Sequence, residues 1–214
     1  MKYELMNNNK VFLSGVVETE PVYSHESFGE VFYEVRLSVP RLSEHTDSVP
    51  VTVSEKLIGD NFQVGKNVAL KGQFRSYNKV EDGKSKLMLT VFVREIIDFN
   101  ETMNPNIIEL VGYVCKPPTY RTTPFKREIC DVLIAVNRSY NKSDYLPCIA
   151  WGRNARFVKN LEVGKKVSIV GRIQSRDYQK KTETGDILNK TAYEISINKI
   201  ADDNIIYEEE ISGW

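Results

Sequence analysis

The chain repeats itself, and the repeat restricts its possible folds to two copies of one small domain. Related residues recur 97 positions apart at first, and the offset grows to 99 and then to 104 along the chain. Examples are Gly15 and Gly112, Pro21 and Pro118, Arg41 and Arg138, Gly72 and Gly171, and Ile96 and Ile200. Two units of about 95 residues are too few and too long for a solenoid. The sequence therefore predicts a duplicated domain, with residues 1–103 as the first copy and 104–201 as the second.

Each copy is predicted to be built from strands and one short helix. Apolar residues alternate with others in Val68–Leu70 and in Val167–Ile169, as in half-buried strands. A helical stretch follows the third predicted strand of each copy, at Glu55–Phe62 and Arg153–Leu161. Five strands with one helix after the third is the plan of the OB-fold (oligonucleotide/oligosaccharide-binding fold), a five-stranded Greek-key barrel. We expect an all-β protein with two OB-folds in tandem.

The formal net charge is zero, but the charge is distributed unevenly along the chain. Residues 1–103 contain 12 Lys or Arg and 15 Asp or Glu, a net charge of −3. Residues 104–201 contain 17 Lys or Arg and 9 Asp or Glu, a net charge of +8. Residues 202–214 contain no Lys or Arg and 5 Asp or Glu, a net charge of −5. A basic module beside an acidic tail is typical of proteins that bind polyanions.

Several classes of function are not expected from the sequence. It has no Gly-rich phosphate loop and no nucleophile beside a plausible base, so we do not expect an enzyme. The 3 cysteines form no CxxC motif and the 2 histidines lie at no metal-ligand spacing, so neither a metal nor another cofactor is expected. The start of the chain is polar and no apolar run reaches the roughly 20 residues of a membrane span. The interpretation is a reduced cytoplasmic protein without membrane contact.

Four segments of the second copy occur in the order and spacing of a known family. They are Asn106–Gly112, Ala135–Arg138, Asp144–Gly152 and Val170–Arg176. Over residues 104–200 the chain resembles the bacterial single-stranded DNA-binding (SSB) proteins, whereas the first copy keeps mainly scaffold positions. The resemblance implies sequence-independent binding of single-stranded DNA in replication, repair or recombination, in a bacterial nucleoid, a phage or a mobile element. A protein–protein adaptor of the primosomal type and binding of single-stranded RNA are the alternatives.

Alternation along the third and fourth strands of the second copy predicts which side chains face outward. The inward set is Leu146, Cys148 and Ala150 in the third strand, and Val167, Ile169 and Ile173 in the fourth. The outward set is Tyr145, Pro147, Ile149 and Trp151, followed by Arg172, Gln174, Arg176 and Tyr178. The resemblance implies base stacking on Tyr140, Tyr145, Trp151 and Tyr178. The alternative is that these rings belong to the core, where large aromatic side chains usually lie.

Cations for the phosphates are expected around these aromatic residues. The candidates are Arg138, Lys142, Arg153, Arg172, Arg176, Lys180 and Lys181, and the alternative for each is a solvated surface charge.

In the first copy, Ser43, Ser48 and Ser54 stand where the second has Tyr140, Tyr145 and Trp151. The first copy is therefore interpreted as a scaffold or pairing domain, although Arg75, Tyr77 and Lys79 leave weak contact with the same strand open.

The acidic tail and the assembly are interpreted through the same resemblance. SSB-like proteins typically end in an acidic tip that recruits replication and repair proteins, which makes Ile211 and Trp214 candidate docking residues. Packing of the tail on the barrel and competition with DNA for the basic face remain alternatives.

Because the family usually assembles four OB-folds, the two OB-folds of each chain imply a homodimer.

Overall fold

The computed structural model describes residues 7–41, 43, 45–81, 83–101, 104–181, 185 and 187–202. Strands β1 to β6 belong to the first copy: β1 (Asn9–Val17), β2 (Val22–Ser27), β3 (Glu30–Pro40), β4 (Thr46–Ser54), β5 (Asn67–Glu81) and β6 (Lys84–Ile97). Strands β7 to β12 belong to the second: β7 (Asn106–Val114), β8 (Thr119–Thr122), β9 (Glu128–Arg138), β10 (Lys142–Trp151), β11 (Lys166–Lys181) and β12 (Ile187–Ala201). Helix α1 (Glu55–Ile58) follows β4, and helix α2 (Gly152–Val158) follows β10.

Each copy closes into a small barrel, so the predicted all-β fold with tandem OB-folds is confirmed. In the first barrel β1 returns to β3 with Val16 opposite Ser38, and β4 runs parallel to β6 with Val51 opposite Val91. The second barrel repeats both closures, between β7 and β9 and between β10 and β12. Each closed barrel has the five predicted strands, and β2 and β8 are additional short edge strands paired with β3 and β9.

Alternating apolar side chains fill both barrels. Val35, Leu37 and Val39 of β3 are fully buried, and Ile134 and Val136 occupy the equivalent places in β9. β-branched residues at every second position pack well on a pleated surface, which explains why these segments form strands. The predicted inward residues of the third and fourth strands of the second copy are all buried.

A glycine in each of the long strands β5 and β11, Gly72 and Gly171, allows the barrel to bend. The pairing of β5 with β6 shifts register between Lys71 and Gly72, and that of β11 with β12 shifts between Val170 and Gly171. A Cβ atom on Gly72 would lie 2.5 Å from the carbonyl oxygen of Phe92, and one on Gly171 would lie 2.4 Å from that of Ser196. No side chain fits there, so each glycine is required by the β-bulge.

The two barrels are joined by their first strands into one twelve-stranded sheet. β1 pairs antiparallel with β7, from Asn9 opposite Leu110 to Leu13 opposite Asn106. The backbone N–H of Ser14 donates to the carbonyl of Pro105 at 2.8 Å, and that of Val111 donates to Asn8 at 2.9 Å. These two bonds are equivalent under the 97-residue repeat, so the copies are related by an approximate twofold axis.

The described part of the chain offers no membrane-spanning helix and no metal cluster. Its helices are too short and too polar to cross a bilayer, and no three His, Cys, Asp or Glu side chains converge. The cysteines are free thiols, of which Cys130 and Cys148 are buried. Burial raises the pKa of Cys130 to about 11 and also raises that of Cys148, so both thiols are protonated and unreactive at neutral pH.

Candidate nucleic-acid interface

The four aromatic residues predicted to stack bases are all exposed on the second barrel. Their exposed fractions are 47% for Tyr145, 39% for Trp151, 39% for Tyr178 and 83% for Tyr140. Tyr145 and Trp151 alternate along β10 with the buried Leu146, Cys148 and Ala150. The rings are therefore not part of the core, which removes that alternative.

Tyr140 lies on a turn whose backbone is strained. It occupies the short 3₁₀ segment Ser139–Asn141 between β9 and β10, with φ of 63°, and its neighbour Asn141 has φ of 54°. A residue other than glycine pays roughly 1–2 kcal/mol for this left-handed conformation. Such strain is concentrated at ligand-binding sites, where it positions a side chain that would otherwise point elsewhere. Here it leaves the Tyr140 ring open to solvent.

Two residues predicted to face outward are buried. Ile149 is only 5% exposed although both of its neighbours, Cys148 and Ala150, point into the barrel. Gln174 is buried because its side-chain amide donates to the carboxylate of Glu194 on β12 at 2.7 Å. The contact of Gln174 with Glu194 comes from the neighbouring strand β12, which a pattern along one strand does not reveal.

Six of the seven predicted phosphate-binding cations fall into three groups, and Arg172 is described separately below. Lys142 and Arg153 are exposed beside the aromatic residues, at the start of β10 and in α2. Arg138 and Arg176 approach carboxylates, at 3.3 Å from Asp144 and 4.0 Å from Glu194. The backbones of Lys180 and Lys181 extend β11 opposite Leu188 and Ile187, and their side chains lie outside the described atoms.

Arg172 occupies a boundary between the two copies. Its guanidinium lies 3.4 Å from Asp47 of the first copy. The Asp47 carboxylate is buried and also accepts from Arg41 at 2.8 and 2.5 Å and from the Ser175 backbone N–H at 2.7 Å. We call this group, with both of its carboxylate oxygens bonded, the Asp47 junction.

The repeat creates a second boundary of the same design, the Asp144 junction. There the buried Asp144 accepts from the Ser76 backbone N–H at 2.8 Å and from Arg138 at 3.3 Å, both through Oδ1. Its Oδ2 is buried and has no hydrogen-bond partner among the described residues. Desolvation raises the pKa of Asp144, against the opposing effects of the Ser76 hydrogen bond and Arg138.

Arg75 and Arg94 of the first copy lie close to the Asp144 junction. Burial, followed by repulsion from Arg138 and Arg94, lowers the pKa of Arg75 to about 10, and Asp144 opposes the shift. Burial and Arg138 also lower the pKa of Arg94. Both arginines donate to the neutral side-chain oxygen of Gln73 rather than to a carboxylate.

An aromatic cluster lies on the first barrel beside these arginines, and sequence reasoning did not identify it. The rings of His25 and Phe32 stack with centroids 5.0 Å apart, and Phe32 lies 5.3 Å from Phe92. The guanidinium carbons of Arg75 and Arg94 lie 4.8 and 4.9 Å from the centre of the Phe92 ring. The available signal was the run Phe92–Arg94, in which an aromatic and a cation share one face of β6.

The serines that replace the aromatic residues in the first copy have other contacts. Ser48 donates to Glu18 at 2.5 Å, and Ser54 bonds Glu30 and caps α1 by accepting from the Lys56 N–H at 3.2 Å. The aromatic positions of the second copy are therefore used for local bonds in the first.

Comparison with known proteins agrees with the geometry. Residues 105–202 match the model of the single-strand binding protein family. Single-stranded DNA-binding protein 1 of Staphylococcus aureus (strain COL) is 36% identical over 81 residues, covering 35% of this chain and 48% of that protein. Single-stranded DNA-binding protein A of Bacillus subtilis (strain 168) is 33% identical over 81 residues, which cover 35% of this chain and 47% of that protein. The chain thus spans about half the length of these curated relatives.

A solved structure extends the likeness to both copies. The alignment with the wild-type single-stranded DNA binding protein from Thermus aquaticus covers 90% of this chain and 91% of the Thermus chain, with a TM-score of 0.69 and 18% sequence identity. At that identity the alignment establishes the shared fold. The family match and the curated relatives concern the second copy, and from them we conclude that residues 105–202 are similar to the single-strand binding protein family.

Proposed function

We propose that the chain binds single-stranded DNA without sequence preference, and that it coats and protects single strands in replication, repair or recombination. The observation that carries the proposal is the exposure of Tyr140, Tyr145, Trp151 and Tyr178 on the surface of the second barrel. Every base has a π-face, so aromatic stacking tolerates any sequence. The names of the relatives, which are single-stranded DNA-binding proteins, support the same ligand.

The charge distribution supports a division of labour between the copies. Residues 104–201 carry the net charge of +8 and the four exposed rings, whereas residues 1–103 carry −3 and serines at three of the equivalent positions. Lys142 and Arg153 are exposed beside the rings, where cations neutralise phosphates. We therefore assign the stacking of bases to the second copy. A cytoplasmic location follows from this function.

The test is a fluorescence titration of the full chain carrying Trp214→Phe, since Trp151 is then the single tryptophan. We expect poly-dT to quench Trp151 to saturation, with log K falling against log salt by about 0.7 per phosphate neutralised. Equal affinity for poly-U would extend the proposal to RNA, because stacking does not read the 2′-OH. Absence of quenching by both polymers would reject nucleic-acid binding and favour the adaptor alternative.

We further propose that the chain forms a homodimer with four OB-folds. The shared sheet carries Phe12 opposite Ile107 on the face that points away from both barrel cores, and both side chains are only partly buried. A second copy of the chain could cover this face. Light scattering at micromolar concentration should give twice the mass of the 24.6 kDa chain, and a monomeric mass would contradict the proposal.

Recruitment of replication or repair proteins by the acidic tail is a separate proposal. It is supported by the five acidic residues of 202–214 and by the apolar Ile211 and Trp214 near the end of the sequence. Of this tail the structure describes Asp202, which lies 3.3 Å from Lys165, while Ile211 and Trp214 lie outside the described residues.

A further inference from the structure

The two junctions between the copies are matched in design and different in charge. Arg41, Asp47 and Ser175 correspond by the repeat to Arg138, Asp144 and Ser76. At the Asp47 junction, two arginines share one carboxylate whose oxygens are both bonded. The equivalents of Arg75 and Arg94 on that side are Gln174 and Asn198, which are neutral. The Asp47 junction therefore has two arginines for one carboxylate, and both oxygens of that carboxylate are bonded.

The Asp144 junction has three arginines for its single carboxylate, one more than the Asp47 junction. Burial is the largest cause of the lowered pKa of Arg75 and of Arg94, and repulsion from Arg138 lowers both pKa values further. The Nε of Arg75 is buried without a hydrogen-bond partner among the described residues. Clustered guanidinium groups with unused donors are suited to a phosphate, which accepts several charge-assisted bonds at once.

The position of this junction connects the aromatic surfaces of the two copies. On one side, the backbone N–H of Tyr145 donates to the Ser76 hydroxyl at 2.7 Å, which fixes a predicted stacking residue against the first copy. On the other side, Arg75 and Arg94 lie over Phe92, and Phe32 and His25 continue the row of rings. The arginines thus lie between Tyr145 of the second copy and the aromatic cluster of the first copy, in which His25 is exposed.

We propose that Arg75, Arg94 and Arg138 together bind a backbone phosphate of a single strand where it passes from Tyr145 to Phe92. This inference rests on the proposed function and extends it, because the first copy then lengthens the binding site instead of serving only as a scaffold. Arg75 and Arg94 exchange the neutral oxygen of Gln73 for the phosphate. Bases beyond that phosphate stack on the first copy, whose exposed His25 and guanidinium planes both present flat faces.

The test compares the full chain with the double variant Arg75→Gln/Arg94→Gln. Binding of labelled dT oligonucleotides is measured with lengths of about 8 and about 24 nucleotides, which correspond to one and two OB-folds. We expect the double variant to bind the short oligonucleotide within twofold of wild type. For the long one, we expect affinity to fall about tenfold at low salt and the salt slope to decrease by about 0.7.

The matched control is Lys66→Gln/Lys165→Gln, which removes the same charge from equivalent turns, where Lys66 bonds the Asp60 carbonyl and Lys165 pairs with Asp202. This lysine variant should show the same difference in affinity between the short and the long oligonucleotide as wild type.

The thermal midpoint of the arginine variant should equal or exceed that of wild type, because the variant removes mutual repulsion. The single variant Arg94→Gln, at an exposed position, should show a smaller loss and provides a second measurement if the double variant is unstable.

Four outcomes separate the inference from the function on which it rests. Selective loss for the long oligonucleotide supports the inference. Wild-type binding of both lengths by the arginine variants overturns it and leaves the proposed function standing. Equal loss for both lengths also overturns it, since the arginines would then act within the site of the second copy. Failure of the wild-type chain to bind either length rejects the proposed function itself.

Discussion

Trp151→Ala is expected to weaken binding of single-stranded DNA by about 1–3 kcal/mol, which is roughly a 5- to 150-fold increase in Kd. The indole is 39% exposed at the end of β10, where a base can stack on its face. Removal of the ring eliminates the stacking area and leaves the barrel core intact, because Ala150 and Cys148 supply the inward side chains. Fluorescence anisotropy of a labelled dT oligonucleotide measures the change without relying on the tryptophan signal.

Ser54→Ala is the matched control, because Ser54 occupies the position equivalent to Trp151. Its DNA affinity should equal that of wild type. Its free energy of unfolding should fall by about 0.5–2 kcal/mol, since the serine caps α1. Wild-type affinity in Trp151→Ala would contradict the assignment of the stacking surface, whatever the result for Ser54→Ala.

Asp47→Ala is expected to lower the free energy of unfolding by about 3–5 kcal/mol, the range found when one partner of a buried ion pair is removed. The carboxylate is buried and accepts bonds from Arg41, Arg172 and the Ser175 N–H. Its removal leaves two guanidinium groups at the boundary between the copies without their counter-charge. Denaturant unfolding followed by circular dichroism measures the loss.

Asp131→Ala provides the comparison for this prediction. Asp131 pairs with Arg121 at 2.9 Å, but both side chains are substantially exposed, and surface pairs contribute about 0–1 kcal/mol. If Asp47→Ala were as mild as Asp131→Ala, then pairing of β1 with β7 alone would hold the two copies together, and the Asp47 junction would contribute little to stability.

The sequence predicted the fold and the exposed aromatic residues because both depend on patterns within one copy. Offsets between matching residues revealed the duplication, and alternation along β10 separated Tyr145 and Trp151 from Cys148 and Ala150. The extra strands β2 and β8 escaped prediction because they are short and polar, and the structure shows them only as partners of β3 and β9.

Contacts between the copies could not be predicted from such patterns. Asp47 and the Ser175 N–H are separated by 128 residues and meet only because β1 pairs with β7. The same pairing brings Arg138 of one copy close to Arg75 and Arg94 of the other. Gln174 looked like an outward residue for a related reason, since its partner Glu194 lies on another strand.

Covalent duplication gives the pairing of β1 with β7 a consequence that reaches beyond stability. In a symmetric homodimer every substitution appears on both sides of the twofold axis, and the two junctions must remain alike. Here the Asp47 and Asp144 junctions have diverged, with two arginines at the first and three at the second. A polynucleotide has a 5′ and a 3′ end, and a symmetric dimer offers it two equivalent orientations. The unlike junctions remove that equivalence, so the proposed binding of a single strand is expected to favour one direction of the strand.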